Sequence, residues 1–517
     1  MSNLTTHLRD AVEAHPDRPA VAFNGQATAY GQLWARTGQF AAGLNERDIG
    51  EGDPVAVYLP NLPQFVTAFH GTLRAGGVVV PMNPQYKSRE IRHLLDDSGA
   101  KAVVTLPDLV PFVDEVREET DVEHVVTVGE ATEGSTAFEA FLGDAEPAVV
   151  ARDEDDLAVQ PYTSGTTGQP KGVRLTHRNL ASNALTAADL VPEGTNPADK
   201  QLGVLPLFHI YGMTVVMNAT LFNGAAYYPL PAWDAQEAVS LIETEKLTLM
   251  HGVPAMYNDI VNQPDAEEFN LSSLRMAGVG GSGIPAEVLR RFEELYDTTV
   301  YEGYGLTETS PVTHFNTEER GRRVGSIGKP IPDVDAKVVD EEFTEVPPVE
   351  RGPVDDEAEL DDITGEVVVA GPCVMAGYAG LPEANEAAFT ERDGKRWFHT
   401  GDLGYHDEDG FFYVVDREDH TINTAGYNVY PREVEELLFE LDGVADAAVV
   451  GIPDERRGET VKAFVVSTPD TDLTADEVRE FCLERLAEYK HPREVAFVDE
   501  LPRTTTGKVQ KFELHEQ

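Results

Sequence analysis

From about residue 20 onward, short apolar runs alternate with stretches whose apolar positions recur every three or four residues. DPVAVYLP predicts a strand, PQFVTAFHGTLRAG a helix stopped by glycine, and GGVVVPMNP a second strand. REIRHLLDDSG then predicts another helix and AKAVVTL another strand. Short apolar runs bounded by Gly and Pro suit buried strands, and a 3.6-residue stripe suits a helix lying on a sheet. Their alternation predicts βαβ units and parallel sheet. It resumes with KQLGVLPL, AQEAVSLIETEKL, LTLMHGVP and LRMAGVGG. At 340–362 the run DEEFTEVPPVERGPVDDEAELDD interrupts it. Rich in acid and proline, this run reads as a mobile surface insertion, because strand-like GEVVVAG follows directly.

The pattern changes again near DREDHT at 416–421. Beyond it come helix PREVEELLFEL, strands ADAAVVGIP and KAFVVS, helix ADEVREFCLERL and strand EVAFVDELP. The expected fold class is therefore α/β. Residues 1–416 form a large N-terminal domain with βαβ-built sheets, and residues 417–517 form a small, mobile C-terminal α+β domain.

Composition adds an environment. Among 517 residues, 91 are acidic and 40 basic, a net charge of −51. Nucleic acid is excluded as a partner, since its phosphates would be repelled. The acids are dispersed, as in ARDEDD, YHDEDG and PDTDLTADE, so they form a solvated coat rather than a docking patch. Such a coat repels itself unless screened, and at about 1 M salt the Debye length falls to about 3 Å. A very salty cytoplasm, as in halophiles, is the expected setting. The N-terminal MSNLTTHLRDAVEAHPD has no signal layout and no run is long enough for an integral membrane segment, which points to a cytoplasmic protein. Cys373 and Cys482 lie too far apart for a metal pattern and do not imply an oxidising compartment.

Candidate chemistry begins at YTSGTTGQPKG, 162–172. Its glycines let backbone N–H groups approach an anion, Thr163, Ser164, Thr166 and Thr167 add hydroxyls, and Lys171 adds charge. This equips a polyphosphate cradle, although Gln169 and Pro170 separate Gly168 from Lys171 and so rule out a Walker A loop. A plain surface loop has similar composition. In AGVGGSGIPAEVLRRFEEL, Gly278, Gly280 and Gly283 match G-x-G-x-x-G, and Glu302 follows about twenty residues later. That favours a nicotinamide oxidoreductase, but Pro285 opens the helix at once and no second nucleotide-binding half is present. In YEGYGLTETS, Glu308 sits beside a glycine-rich turn, where a carboxylate suits Mg²⁺ held with substrate phosphates; elsewhere in so acidic a chain it would simply face solvent.

Two further stretches, HTGDLGYHDEDGFFYVVDREDHTINTAGYNVYPREVEE and LPRTTTGKVQK, complete a set of five in fixed order from 162 to 511. With them the chain resembles the adenylate-forming superfamily of acyl-CoA synthetases, luciferases and peptide-synthetase adenylation domains. The resemblance implies that Thr163, Ser164, Gly165, Thr166, Thr167, Gly168 and Lys171 wrap the β- and γ-phosphates of ATP. It implies that Gly281, Ser282 and Gly283, with Glu302, Gly303, Tyr304 and Gly305, hold adenine and border the acyl pocket. Thr307 would touch the α-phosphate and Glu308 would hold Mg²⁺. Asp402 and Arg417 would contact ribose, and Lys508 would bridge the carboxylate and the α-phosphate. His209 in PLFHIYG would gate the acyl site, Gly426 would line the pantetheine tunnel, and Asp419 would be the hinge. Thr424 and Ala425 depart from the bulkier or more basic pair of many relatives, which leaves the contacts to the CoA nucleotide open.

The activity implied is carboxylic acid plus ATP plus CoA giving acyl-CoA, AMP and pyrophosphate. Tyr211, Val215 and Val312 make the expected pocket mostly apolar, and Gly281, Gly283 and Gly303 are expected to leave room, which favours a medium or long fatty acid. An aryl acid, or an enzyme loading a carrier protein, is the alternative. A silent acyl-binding protein fits less well, because Lys508, Glu308 and Asp402 are all present. The partners are small molecules, with a homodimer allowed.

Overall fold

The computed structural model describes residues 3–514 apart from 164–169, 355–359, 361–362, 418–419, 421, 425–426, 455–456, 469–470, 472, 487 and 505–508. The predicted alternation becomes two nine-stranded sheets. In one, Pro54–Tyr58 lies between Val78–Pro81 and Ala102–Thr105, with Val55 beside Val79 on one side and Ala102 on the other. Between these strands run helices Pro63–Arg74, with proline in its first turn, and Ser88–Ser98, ended by Gly99 at a φ of 64°. Proline there gives up only an N–H that has no helical partner, and glycine adopts the left-handed cap without a Cβ clash.

The second large sheet carries the parallel strands Lys200–Gly203, Leu249–Gly252, Met276–Val279 and Val300–Gly305 side by side. One apolar cluster joins the two sheets, running from Val55 and Val79 through Phe40, Phe65 and Phe69 to Met250 and Ala277. Each fully buried phenylalanine contributes roughly 1.5–3 kcal/mol against exposure. This shared core fixes the two sheets relative to each other.

A third, antiparallel sheet of five strands includes Lys395–His406 and Phe412–Arg417. A fourth, also of five strands, draws on residues from Ile422–Thr424 onward and is packed by helix Pro431–Phe439. The fold class is thus α/β with a smaller C-terminal part, as the alternation predicts. The acidic run after residue 340 joins neighbouring strands Asp335–Val339 and Gly365–Ala370. Its described first half is tied down rather than loose. Val346 N–H donates to Val338 O at 2.9 Å, and Val349 N–H donates to His406 O at 3.0 Å. Composition could not reveal backbone partners so distant in sequence.

Candidate functional site

Loops leaving the carboxyl ends of Leu249–Gly252, Met276–Val279 and Val300–Gly305 open onto one cavity of about 1120 Å³. Ligands of α/β sheets bind at such ends. The far wall comes from the third sheet, through Asp402 and Arg417, and from the C-terminal part, through Arg432, Thr504 and Val509. The described residues given a site role by the resemblance all line this cavity: Thr163, Lys171, His209, the 281–283 turn, the 302–305 strand end, Thr307, Glu308, Asp402 and Arg417. Ser164, Gly165, Thr166, Thr167, Gly168, Gly426 and Lys508, with Asp419, lie outside the described residues.

At one end Thr163 pairs with Lys171 across an antiparallel hairpin. The Lys171 ammonium sits 5.1 Å from the centre of the Tyr378 ring, whose hydroxyl donates to Glu308 at 2.9 Å. Tyr378 is held there because its segment bonds on both sides: Met375 N–H to Glu308 O at 2.8 Å, and Ala376 N–H to Arg174 O at 2.9 Å. Burial pushes the Glu308 carboxyl above the usual range, while Tyr378, Arg417 and Lys171 pull it back. A buried carboxyl between one hydroxyl and one ammonium, facing a cavity, suits a hard cation shared with a ligand's oxygens.

Beside it, Asp402 and Arg417 face each other in register, with Nη1 3.6 Å from Oδ1. The Tyr304 hydroxyl donates to the other Asp402 oxygen. An aromatic face, a buried acid and a guanidinium thus stand together, a set able to stack a base and accept from hydroxyls.

The glycines of the apparent dinucleotide motif have individual explanations. A Cβ on Gly278 would strike the His251 ring, one on Gly280 would lie 3.2 Å from the Tyr211 ring, and one on Gly283 would strike the Arg432 guanidinium. A Cβ on Gly303 would come 2.7 Å from the Phe315 ring. The room expected at Gly283 and Gly303 is therefore already taken by protein side chains. Gly281 alone of the three keeps it: a Cβ there meets Val253 at an ordinary 3.5 Å, but its φ of 89° resists a side chain.

Arg432 comes from helix Pro431–Phe439 and crosses to the large part. Its Nε donates to Glu436 at 2.9 Å and its Nη1 to Val414 O at 3.2 Å. It is also the leading positive charge acting on Glu302, whose carboxyl burial pushes up to about 7. Deeper in, helix Tyr211–Asn218 is wound in the wide i→i+5 register, a form common at functional sites. His209 precedes it and accepts from Tyr211 N–H at Nδ1, 3.3 Å away. Tyr211 packs on an apolar cluster with Val215, Met276, Val312 and Phe315.

Sequence reasoning missed Tyr378, Arg432 and His251. Arg432 stood in a quoted stretch, but its helical setting gave no sign of a partner in the large part. His251 sat in an apolar strand run, where a core residue is the ordinary reading.

Residues 8–379 match the family model described as AMP-binding enzyme, and residues 433–508 match the AMP-binding enzyme C-terminal domain. The chain is 36% identical over 544 residues to a long-chain-fatty-acid–CoA ligase of Bacillus subtilis, covering 99% of this chain and 94% of that one. It is 36% identical over 504 residues to a feruloyl-CoA synthase of an Amycolatopsis species, covering 96% of each. Among solved structures, ATP-bound MatB from Rhodopseudomonas palustris superposes with a TM-score of 0.90 at 33% identity, over 100% of this chain and 98% of that one. The apo form of MatB, at the same identity and coverage, gives 0.78.

Proposed function

The chain belongs to the AMP-binding enzyme family and is an acid–CoA ligase, and on that premise we propose that it activates a medium- or long-chain fatty acid. The acid's carboxylate oxygen attacks the α-phosphorus of ATP, the bond to pyrophosphate breaks, and an acyl-adenylate forms. The CoA sulfur then attacks the acyl carbonyl and AMP leaves. The observation that carries this reading is the two-ended cavity. One end groups Lys171, Glu308, Asp402 and Arg417, and the other is walled by Val215, Met276, Val312 and Phe315.

In this reading Thr163, Lys171 and the 164–168 loop hold the β- and γ-phosphates. Tyr304 stacks on adenine beside the 281–283 and 302–305 segments, Asp402 and Arg417 take the ribose, and Thr307 meets the α-phosphate. Glu308 holds Mg²⁺. Among the described residues no group of three metal-ligating side chains occurs, and a single carboxylate is what Mg²⁺ needs when phosphates and water supply the rest. When bound, the ion would neutralise phosphate charge. His209 gates the acyl end. Preorganised donors in a water-poor site favour the charge that builds on the α-phosphate. The close likeness to an ATP-bound relative supports taking the present arrangement as the adenylating one.

Lys508 and Gly426 belong to the same small part, taken as 417–517, but serve different steps, so that part swings about a hinge near Asp419. A cytoplasm of high salt is the proposed setting, supported by the net charge of −51 and by the absence, among the described residues, of a helix able to cross a membrane. Aryl acids are a second reading, favoured by the likeness to a feruloyl-CoA synthase. The mechanistic test separates the half-reactions. Lys508→Ala should abolish adenylate formation yet still convert supplied acyl-adenylate and CoA to thioester, and Gly426→Leu should do the reverse. Loss of the same half-reaction in both would refute the alternation.

A further inference from the structure

The apolar end of the cavity contains two polar rings that the proposed chemistry does not use. The Tyr211 hydroxyl lies 3.2 Å from His251 Nδ1, and the rings meet edge to face with centroids 5.8 Å apart. Both line the cavity, and His251 is only 4% exposed. Their seats are specific: the His251 ring lies over bare Gly278, and the Tyr211 ring over bare Gly280. Any side chain at Gly278 would displace the histidine.

The pair shares one hydrogen, and either arrangement leaves hydrogen-bonding capacity over. If Tyr211 donates, neutral His251 keeps an Nε2–H with no partner among the described residues. If Nδ1–H donates, Nε2 becomes an unused acceptor and the tyrosine O–H an unused donor. Burial keeps the imidazole neutral, with its pKa pushed down to about 4. A purely hydrocarbon tail lying against the pair would leave this capacity unmet, and buried polar groups without partners are costly. An oxygen on the tail would meet it, and a hydroxyl, being both donor and acceptor, would serve in either tautomer.

We propose that Tyr211 and His251 form a specificity element that reads a hydroxyl or keto oxygen on the acid's tail, so that oxygenated acids are preferred over the plain hydrocarbon chain. The inference rests on the acid–CoA ligase reading of this cavity. It names a substrate class and not a position, because the pair's depth selects which carbon carries the oxygen.

The test is a set of matched acids assayed for CoA-dependent pyrophosphate release. It comprises straight-chain acids with and without one hydroxyl or keto group moved along the chain, and cinnamate against 4-hydroxycinnamate. At one position or more, kcat/KM for the oxygenated acid should exceed that of its parent by about tenfold to a hundredfold, as discrimination by a polar site allows. His251→Leu and Tyr211→Phe should each lower kcat/KM for that oxygenated acid at least about tenfold more than for the parent, and His251→Gln should retain part of the preference. Parents matching or outperforming every oxygenated acid would overturn the inference, as would a preference indifferent to both substitutions. If no acid at all gave CoA-dependent pyrophosphate, the ligase reading itself would fail.

Discussion

Replacing Glu302 by glutamine should remove a loss of stability that the wild-type protein suffers on going from acid to neutral pH. The Glu302 carboxyl is 6% exposed, and burial moves it from about 4.5 to about 7. A carboxyl raised in the folded state contributes stability that is fully present below its unfolded value and lost as pH rises through its folded value. The shift spans about 2.5 units, and at about 1.36 kcal/mol per unit it corresponds to about 3 kcal/mol between pH 4.5 and 7. Glu302→Gln should abolish that component. Arg432→Met should act oppositely. With its leading positive neighbour gone, Glu302 should titrate higher still, so the loss of stability should run on to higher pH. Joining Arg432→Met to Glu302→Gln should recover part of that loss. The assay is urea unfolding at pH 5, 6, 7 and 8 in about 2 M KCl, where surface carboxylates are screened. A chain of two parts need not unfold in one step, so variants are compared on the transition that moves. Parallel stability–pH curves for wild type and Glu302→Gln would refute the reasoning.

At Gly303, alanine should push the Phe315 ring into the apolar wall, since the new Cβ would lie 2.7 Å from it. Preference should then shift toward shorter acids with little change in the KM for ATP, whereas equal loss at every chain length would contradict the placement of that wall. The net charge of −51 predicts that folding and activity need roughly molar salt. Full activity with an unchanged melting temperature at ~0.1 M NaCl would contradict it.

The parallel sheets were legible because buried strands and amphipathic helices write different periods, and Gly99 and Pro63 mark helix ends by local backbone preference. The candidate site was legible where one short stretch carries several cavity-lining residues, as with the tyrosine–glycine turn around Glu308. It was not legible where function depends on residues far apart in sequence meeting. Nothing local distinguishes Arg432 from any helical arginine until it lies over Gly283. Tyr378 reaches Glu308 through bonds to Arg174 and Glu308 that the sequence cannot display. The G-x-G-x-x-G match is ambiguous for the same reason: a glycine records that something comes close, and not what. Here the neighbours are His251, Tyr211 and Arg432 rather than a dinucleotide.

The most direct test of the central claim is pyrophosphate release measured across a panel of carboxylic acids, with ATP and Mg²⁺ in molar salt, with and without CoA. The product is followed by mass spectrometry. The account predicts ATP-dependent pyrophosphate with at least one acid, turnover sustained only when CoA is present, and stoichiometric AMP and acyl-CoA thioester. Pyrophosphate release that CoA neither sustains nor converts to thioester, or ATP cleaved to ADP and phosphate instead, would contradict it.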